Sequence, residues 1–392
     1  MSATRDKTFA IVIVCYKRVD GVKRLLSSLE QVDFAGRSDI TLIIDIDFSG
    51  SDEIASFALG YEWPYGEKRV VSRQNRMGLK SHVLSCGDYT EEYDVVVVLE
   101  DDTYVSDSMY RYAYSAAVEY WDDERIAGIS LFGFQKNWLA WHLRFEPQKT
   151  AYDAYFMKIA QSWGEVWTAQ KWRPFRDWLK KHSVFEPKGA VPDDLMTWGE
   201  SSWLKYHDWY CMANDKYFVY PYVSLSTNFS DPGEHSKATI ADHQVELQYG
   251  KRSFSFPKFT SGAVVYDEYM NRCGLGQHLD IDDGVLTVDF WGTRREREYR
   301  RYVLTTKKLP FRIVKSFALA LRPIELNIIQ GVAGEGIWLF DTAEKAKELP
   351  RYEGDGLDVY SLRTHDYKVL LPLGLRLAFL RVAREISDRF GG

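Results

Sequence analysis

The sequence predicts an α/β protein built on a mostly parallel β-sheet that is flanked by helices. In residues 1–135, unbroken apolar runs alternate with segments of helical periodicity, a pattern that produces parallel strands buried on both faces. Polar and charged residues also follow these runs directly. Since ligands of such sheets bind beyond the carboxyl ends of the strands, we expect the functional site at that edge.

Five runs in this region are predicted to be strands because they are short and rich in β-branched residues. They are FAIVIVCY (9–16), ITLIIDID (40–47), KRVVSRQN (68–75), YDVVVVLE (93–100) and RIAGISLFGF (125–134). Between them, apolar residues three or four apart predict helices over 20–32, 78–89 and 107–121, the first with Asp20 as a candidate N-cap.

The remainder of the chain is less regular. Residues 150–240 are Trp-rich and predicted to be mostly helical, with a strand in 217–236 that leads into a polar loop. Residues 325–342 carry strand and turn signals. We place a boundary after residue 245, which gives a first domain, 1–245, and a mixed α+β extension, 246–392.

The last predicted element is an amphipathic helix. Its apolar side carries Leu375, Phe379, Val382, Ile386 and Phe390. Two interpretations stay open: the helix docks against the protein body, or it makes peripheral contact with an anionic membrane surface through nearby arginines. These are Arg376, Arg381, Arg384 and Arg389.

Composition excludes some classes of function. The chain has 392 residues and a net charge of −6, which argues against nucleic-acid binding because that requires a basic surface. Its four cysteines lack any CxxC pairing and fit reduced thiols in the cytoplasm. We expect neither a signal peptide nor a spanning helix, since the first apolar run ends in charges and no run approaches about 20 apolar residues.

Three acids, Glu100, Asp101 and Asp102, follow the fourth strand without a break. Strand alternation predicts that Glu100 and Asp102 point one way and Asp101 the other. Such carboxylates repel one another unless a cation lies between them, and Mg²⁺ or Mn²⁺ takes oxygen ligands from one or two carboxylates and from substrate phosphates. The alternative is a solvated acidic turn.

The neighbouring strand ends favour the metal interpretation. A rim that carries both signs of charge suits a phosphate-bearing ligand with a divalent cation between the charges. The rim residues are Lys17 and Arg18 after the first strand, Asp45 and Asp47 in the second, and Arg73 and Arg76 after the third.

Taken together, VIVCYKR, LIIDIDFSG and VVVLEDD resemble the nucleotide-sugar domain of GT-A glycosyltransferases, over roughly residues 8–236. The similarity is to the inverting group in which EDD replaces the DxD motif. The resemblance implies a Rossmann-like GT-A fold and, as the donor, a nucleoside-diphosphate sugar that we expect to be UDP-linked. It also implies Mn²⁺ or Mg²⁺, a glycan or lipid-linked acceptor, and a bacterial role in cell-surface polysaccharide synthesis at the inner face of the plasma membrane.

Carried over by position, the resemblance assigns the donor site. Asp102 is the direct metal ligand, and Glu100 and Asp101 contact the sugar, the ribose or metal-bound water. The remaining donor-site residues are Lys17 and Arg18 in the nucleotide pocket, Asp47 on the uracil or ribose, and Arg73 and Arg76 beside the nucleotide.

The resemblance also implies an acceptor side. SWGEVW (162–167) matches its Trp-containing segment, which makes Trp163 a candidate, although Trp163 and Trp167 would equally suit a core stripe on a helix. In WGES, Glu200 is the predicted base, with Asp208 as the fallback; Ser201 departs from the family's usual acidic pair. His235, in TNFSDPGEHS, resembles the loop histidine that meets the metal or diphosphate, and the alternative is a turn cap.

Two other functions stay open. A sugar-phosphate nucleotidyltransferase would begin with a Gly-rich phosphate loop, but CYKRVDGVKRLL contains only Gly21. A non-catalytic carbohydrate-binding or scaffold protein on a degenerate transferase fold is the other alternative. The intact EDD, Glu200 and His235 argue against it, and Ser201 keeps it open.

Overall fold

The computed structural model describes residues 7–140, 143–189, 191–229, 231, 243–260, 262–351, 356–363 and 366–390. Within them the predicted α/β architecture is confirmed, with a large, mostly parallel sheet flanked by helices. The strands are β1 Phe9–Cys15, β2 Ile40–Ile46, β3 Lys68–Ser72, β4 Val95–Glu100, β5 Thr103–Val105, β6 Ile126–Ser130, β7 Ala154–Met157, β8 Glu165–Trp167, β9 Tyr217–Pro221, β10 Ser226–Asn228, β11 Val265–Tyr266, β12 Leu286–Asp289, β13 Tyr302–Thr305, β14 Phe311–Ala318 and β15 Gly336–Lys345.

The helices are α1 Val19–Leu29, α2 Glu53–Gly60, α3 Leu79–Gly87, α4 Met109–Glu119, α5 Ala169–Lys181, α6 Asp193–Thr197, α7 Leu204–Ala213, α8 Leu326–Ile329, α9 Leu357–Leu362 and α10 Tyr367–Phe390. Asp20 lies in the first turn of α1 rather than at its N-cap, which is Arg18. That expectation was wrong because an N-cap at Asp20 would place the first helical residue at position 21, whereas α1 begins two residues earlier, at Val19.

The main sheet has nine strands in the order β11-β7-β9-β6-β8-β4-β1-β2-β3. The pairs β1–β2, β1–β4 and β2–β3 are parallel, and Cys15 pairs with Ile46 while Val14 pairs with Glu100. The carboxyl ends of β1, β2, β3 and β4 therefore meet at one edge of the sheet, where the charged rim was expected.

Side chains of β4 alternate between two hydrophobic cores. Val97 and Leu99 pack with α1 and α4 on one face, and Val96 and Val98 pack with α5 and α7 on the other. All four side chains are buried, and burial of one such side chain contributes roughly 1.5–3 kcal/mol. The apolar run thus anchors the acidic turn that follows it.

The expectation of a mostly helical segment over 150–240 was wrong in part. This segment also forms β7, β8, β9 and β10, and β8 pairs antiparallel with both β4 and β6. Trp163 lies in the loop before β8, whereas Trp167 lies on that strand and is fully buried. The two rings therefore share no helix, because pairing with the neighbouring strands decided the local structure.

The C-terminal part contains a second sheet with the order β12-β13-β15-β14 and a core of its own around Leu304 and Leu339. Residues beyond position 245 still contribute to the first sheet, since β11 pairs with β7. The division of the chain at residue 245 stays a prediction.

Helix α10 exposes most of its described apolar side chains, among them Leu375, Phe379 and Val382. The docking interpretation is therefore wrong for this side of the described helix. None of the described helices is both long enough and apolar enough to cross a membrane.

Candidate functional site

Arg18 holds the acidic turn at the end of β4. Its Nε donates to Asp101 Oδ1 at 2.7 Å, and its Nη1 donates to Asp102 Oδ2 at 2.7 Å. The expected alternation, in which Asp101 and Asp102 point in opposite directions, is therefore wrong. Strand β4 ends at Glu100, so Asp101 and Asp102 lie in a turn, where strand alternation no longer applies.

Strand β10 supports the same turn from the other side. Asn228 Nδ2 donates to Asp102 Oδ1 at 3.0 Å, and the backbone amide of Phe229 donates to the Asp102 carbonyl at 3.0 Å. Arg24 on α1 lies 3.9 Å over the Phe229 ring and pairs with Asp231. Asn228 was missed as a site residue although it is the second residue of the TNFSDPGEHS motif. His235 of that motif lies outside the described residues.

The acid cluster carries more negative charge than Arg18 neutralises. Burial, reinforced by the charge of Asp102, raises the pKa of Glu100 to about 8. Burial also raises the pKa of Asp101 to about 6, although Arg18 opposes the shift. Three neighbouring carboxyl groups face one guanidinium, and oxygen donors of this kind are what Mg²⁺ and Mn²⁺ prefer. The residues present therefore fit a divalent cation.

Tyr16 connects the acid cluster with the basic rim. Its backbone amide donates to Asp101 Oδ2 at 3.4 Å. Its ring lies 4.8 Å from the guanidinium of Arg76 and 4.6 Å from Lys17 Nζ. Arg18 turns toward the acids, while Lys17 is exposed.

Asp47 positions the loop that carries Arg76. Its Oδ1 accepts from the backbone amide of Met77 at 2.7 Å, and its Oδ2 accepts from that of Gly78 at 3.0 Å. Gly78 has φ +77°, a left-handed conformation that favours glycine, and precedes α3. The Asp47 carboxylate is buried and shapes the rim through these backbone contacts.

Arg73 belongs to a buried network around Asp45. Its Nε and Nη2 donate to the two Asp45 oxygens at 2.8 and 2.6 Å. His82 Nε2 lies 2.9 Å from Oδ1, and the Tyr89 hydroxyl donates to Oδ2 at 3.0 Å. Burial acts to raise the pKa of Asp45, but hydrogen bonds from His82 and Arg73 outweigh it and hold that pKa below its usual value.

The two candidate bases lie in contrasting environments. Glu200 has a 79 % exposed side chain that accepts from Lys205 Nζ at 2.7 Å and from the Tyr206 hydroxyl at 3.1 Å, and these contacts lower its pKa. Asp208, on α7, is fully buried, and burial raises its pKa well above the ordinary value. Its Oδ1 accepts from the Ala160 amide at 2.6 Å, while Oδ2 has no hydrogen-bond partner among the described residues.

Asp208 and Trp163 line one cavity of about 240 Å³, here called the aromatic cavity, and Glu200 is not among its lining residues. Trp163 is half-buried, and its ring lies 4.2 Å from that of His243. The walls comprise Phe132, Phe134, Gln135, Lys136, Trp138, Ile159, Ala160, Gln161, Ser162, Trp163, Trp198, Leu204, Asp208, His243, Gln244 and Val245.

No protein-family model and no curated protein sequence matches this chain. Among solved structures, it is similar to the mannosyltransferase PcManGT from Pyrobaculum calidifontis in complex with GDP-Man and Mn²⁺, at 13% identity over 47% of this chain and 48% of that one, with a TM-score of 0.31. It is also similar to GalNAc-T7 with UDP, GalNAc and Mn²⁺, at 13% identity over 57% and 43%, with a TM-score of 0.37.

A further similar structure is S. aureus TarS 1-349 in complex with UDP-GlcNAc, at 13% identity over 59% of this chain and 61% of that one, with a TM-score of 0.36. In each of these three comparisons the match covers less than two thirds of the other chain. Similarity of this degree identifies no activity for this chain.

Proposed function

We propose that this protein is a metal-dependent, inverting glycosyltransferase of the GT-A type. It moves a sugar from a nucleoside-diphosphate sugar, with UDP as the proposed nucleotide, to a hydroxyl of a glycan or glycolipid acceptor. The observation that carries the proposal is the acid cluster at the carboxyl edge of the parallel sheet, formed by Glu100, Asp101 and Asp102. The single guanidinium of Arg18 does not neutralise all of its negative charge.

Asp102 is the proposed ligand of Mn²⁺ or Mg²⁺. When bound, the cation supplies neutralisation of the leaving diphosphate. His235 stays a prediction as a second ligand. Glu100 and Asp101 are proposed to contact the sugar or ribose, and a Glu100 whose pKa is about 8 can donate a hydrogen bond from its protonated form near neutral pH.

The nucleotide is proposed to lie along the basic rim. Arg76 beside the Tyr16 ring offers a cation and an aromatic face close to the acids. Lys17 is exposed at the same strand end. Asp47 supports this pocket by holding the loop before α3, and Arg73 supports it through Asp45.

One-step inversion needs a base that removes the proton of the acceptor hydroxyl. Of the two candidates, the geometry favours Asp208 over Glu200. Asp208 is a lining residue of the aromatic cavity, its Oδ2 has no hydrogen-bond partner among the described residues, and its raised pKa makes the carboxylate the stronger base once deprotonated. Glu200 is held at the surface by Lys205 and Tyr206, and its lowered pKa weakens it as a base.

The proposed setting is bacterial cell-surface polysaccharide synthesis at the inner face of the plasma membrane. Helix α10 supports a peripheral membrane contact, because Leu375 and Phe379 are exposed beside Arg376. An acceptor linked to a lipid would be presented at that surface.

A non-catalytic carbohydrate-binding protein is the second candidate, since Ser201 follows Glu200 where an acidic pair is usual. Calorimetric titration of UDP with and without Mn²⁺, followed by a donor-hydrolysis screen across UDP-, GDP- and dTDP-sugars, distinguishes the transferase from the non-catalytic binding protein. We expect Mn²⁺-dependent binding and turnover, with Asp102→Ala abolishing both and Asp52→Ala, at an exposed position, changing neither. A protein that binds no nucleoside diphosphate under either condition is not a glycosyltransferase of this kind.

Replacing each candidate base by the corresponding amide tests which of the two removes the proton of the acceptor hydroxyl. Asp208→Asn is expected to keep UDP binding and to lose transfer by about 10²–10⁴-fold, while Glu200→Gln stays within a few-fold of the native rate. The reverse result would assign the base to Glu200.

A further inference from the structure

Helix α3 presents a histidine and a cysteine to a buried aspartate of β2. His82 and Cys86 are four residues apart, so they lie on one face of the helix. Asp45 faces them from β2, with its Oδ1 2.9 Å from His82 Nε2. The carboxylate, the imidazole and the thiol place three potential ligand atoms within 4.8 Å of one another, and all three side chains are buried.

The chemical types of these three atoms favour zinc. Proteins bind Zn²⁺ through thiolate, imidazole and carboxylate, whereas Mg²⁺ and Mn²⁺ prefer ligand sets of oxygen alone. Bond lengths of about 2.0–2.3 Å in a tetrahedral zinc site place its ligand atoms about 3.3–3.7 Å apart. The separations in this group lie between 2.9 and 4.8 Å, so side-chain movements of about 1 Å would complete such a geometry.

Tyr89 orients the aspartate for this role. Its hydroxyl donates to Asp45 Oδ2 at 3.0 Å, while Oδ1 is the oxygen that lies beside His82. Hydrogen bonds to the outer atoms of a ligating carboxylate fix its direction and tune the metal. Asp45 can therefore act as a ligand through one oxygen while Tyr89 holds the other.

Arg73 supplies the positive charge that the buried Asp45 carboxylate requires. Its guanidinium donates to both Asp45 oxygens, and its side chain is 28 % exposed, so it reaches the group from the protein surface. Rotation of this side chain into solvent would open a path to the three ligand atoms. Arg73 and a bound cation are therefore alternatives at Asp45.

The exchange of Arg73 for a zinc ion conserves the charge of the site. A buried thiol without a metal keeps its proton at neutral pH, so the group formed by Asp45, Arg73 and Cys86 has no net charge. Zn²⁺ with one carboxylate and one thiolate has no net charge either. The exchange therefore avoids the large cost of an unpaired charge in the protein interior.

We propose that Asp45 Oδ1, His82 Nε2 and Cys86 Sγ bind Zn²⁺, with a water molecule as the fourth ligand. As the metal enters, Arg73 moves into solvent and the Cys86 thiol releases its proton to water. His82 binds as the neutral ring, with its proton on Nδ1. The ion connects β2 with α3. This site is separate from the acid cluster and does not depend on the proposed function.

The test is an optical titration of the full chain with Co²⁺ in reducing, chelator-free buffer. Co²⁺ takes the same ligands as Zn²⁺ and gives an intense near-ultraviolet charge-transfer band only when a thiolate coordinates it. We expect this band in the native protein, its loss when Zn²⁺ is added, and its absence in Cys86→Ser.

Cys211→Ser is the matched control and should keep the band. Cys211 is also fully buried, and it lies four residues after a histidine, His207, on α7. Among the described residues, however, this pair belongs to no group of three such ligand atoms within the same distance.

A second variant tests the competition with Arg73. Arg73→Gln should raise the Co²⁺ affinity at least about tenfold, because the cation then neutralises an Asp45 carboxylate that has lost its counter-charge. Arg73→Lys, which retains a charge but not the paired contacts, serves where the glutamine variant fails to fold, and it should shift the affinity in the same direction. An unchanged or lower affinity would contradict the exchange.

The remaining outcomes separate this site from the acid cluster. If the native protein gives no charge-transfer band, or if Cys86→Ser keeps it, the proposed zinc site is wrong. If Co²⁺ binds without the band and Asp102→Ala abolishes that binding, the metal binds at the acid cluster alone, which contradicts the zinc site and supports the proposed function. If the band appears but UDP does not bind with or without Mn²⁺, the zinc site is supported and the transferase proposal is wrong.

Discussion

Arg18 Nη1 lies 2.7 Å from Asp102 Oδ2, and the same guanidinium holds Asp101. Arg18 belongs to the turn after β1 and Asp102 to the turn after β4, so one ion pair connects the ends of two adjacent parallel strands. It also places a positive charge where the proposed cation would act. Loss of the Arg18 guanidinium should therefore change both the free energy of unfolding and metal binding.

Arg18→Gln should lower the free energy of unfolding by about 1–3 kcal/mol without metal, because Asp101 and Asp102 are buried and would lose their counter-charge. Added Mn²⁺ should raise the Tm of this variant more than that of the native protein. Urea denaturation and thermal scans with and without Mn²⁺ measure both effects. The control is Arg125→Gln at the more exposed pair with Asp123, where less than about 1 kcal/mol is expected. An equal loss of unfolding free energy in Arg18→Gln and Arg125→Gln would contradict the proposed role of Arg18.

Gly21 allows α1 to approach the acidic turn. A Cβ at this position would lie 2.5 Å from the carbonyl oxygen of Asp101, which is backbone and cannot rotate away. Gly21→Ala should therefore cost about 1–3 kcal/mol and weaken Mn²⁺ binding by displacing the acids. Calorimetry and denaturation measure these effects.

Gly60→Ala is the matched control for Gly21, since nothing lies within 4 Å of its added Cβ at the end of α2. It should leave both stability and Mn²⁺ affinity nearly unchanged. Native-like metal binding and stability in Gly21→Ala would show that the close contact has no consequence.

Asp45→Asn should lower stability by about 2–3 kcal/mol at pH 7, because Arg73, His82 and Tyr89 lose a charged acceptor. The pKa of Asp45 is held below its usual value, so its contribution is complete above the unfolded pKa of about 4 and is lost as the pH falls below that. Urea denaturation at pH 7, 5 and 3.5 should show a constant difference between native protein and variant at the first two values and a smaller one at the last. A difference that grows on acidification would contradict this assignment.

Strands β1, β2 and β4 could be predicted because each is a short run rich in β-branched residues that the sheet buries on both faces. Strand β3 lies at the edge of the sheet and is only partly buried, and its Val70–Val71 pair was the signal that predicted it. The position of the acid cluster followed from the rule that carboxyl ends of parallel strands share an edge. Strand β8 could not be predicted. It has three residues in a Trp-rich segment, and only pairing with β4 and β6 makes it a strand.

Contacts between residues distant in sequence could not be predicted either. Asp45 meets residues 28, 37 and 44 positions away, and nothing local marks Arg73 as its partner rather than as a free basic residue of the rim. The aromatic cavity assembles four separate segments of chain, so the contrast between the buried Asp208 and the exposed Glu200 appears only in three dimensions.

His207 should make the stability of this protein sensitive to acid. It is fully buried on α7, stacks on Phe175 with ring centroids 4.2 Å apart, and neither ring nitrogen has a hydrogen-bond partner among the described residues. Burial disfavours the charged ring and lowers the pKa of His207 to about 3, whereas the unfolded chain titrates near 6.5. Between these values the unfolded state binds the additional proton, so stability falls as the pH falls.

His207→Phe removes this titration. The variant should match the native protein at pH 7.5 to within about 1 kcal/mol and exceed it by about 2–3 kcal/mol at pH 4.5, as measured by urea denaturation at both values. Phe175→Leu alters the same stack without a titratable group and should cost a similar amount at either pH. If the native protein and the His207→Phe variant lose the same free energy of unfolding from pH 7.5 to 4.5, His207 is not the source of the acid sensitivity. Their stabilities can diverge with pH only if the variant has lost a group that is charged in the unfolded chain and neutral in the fold.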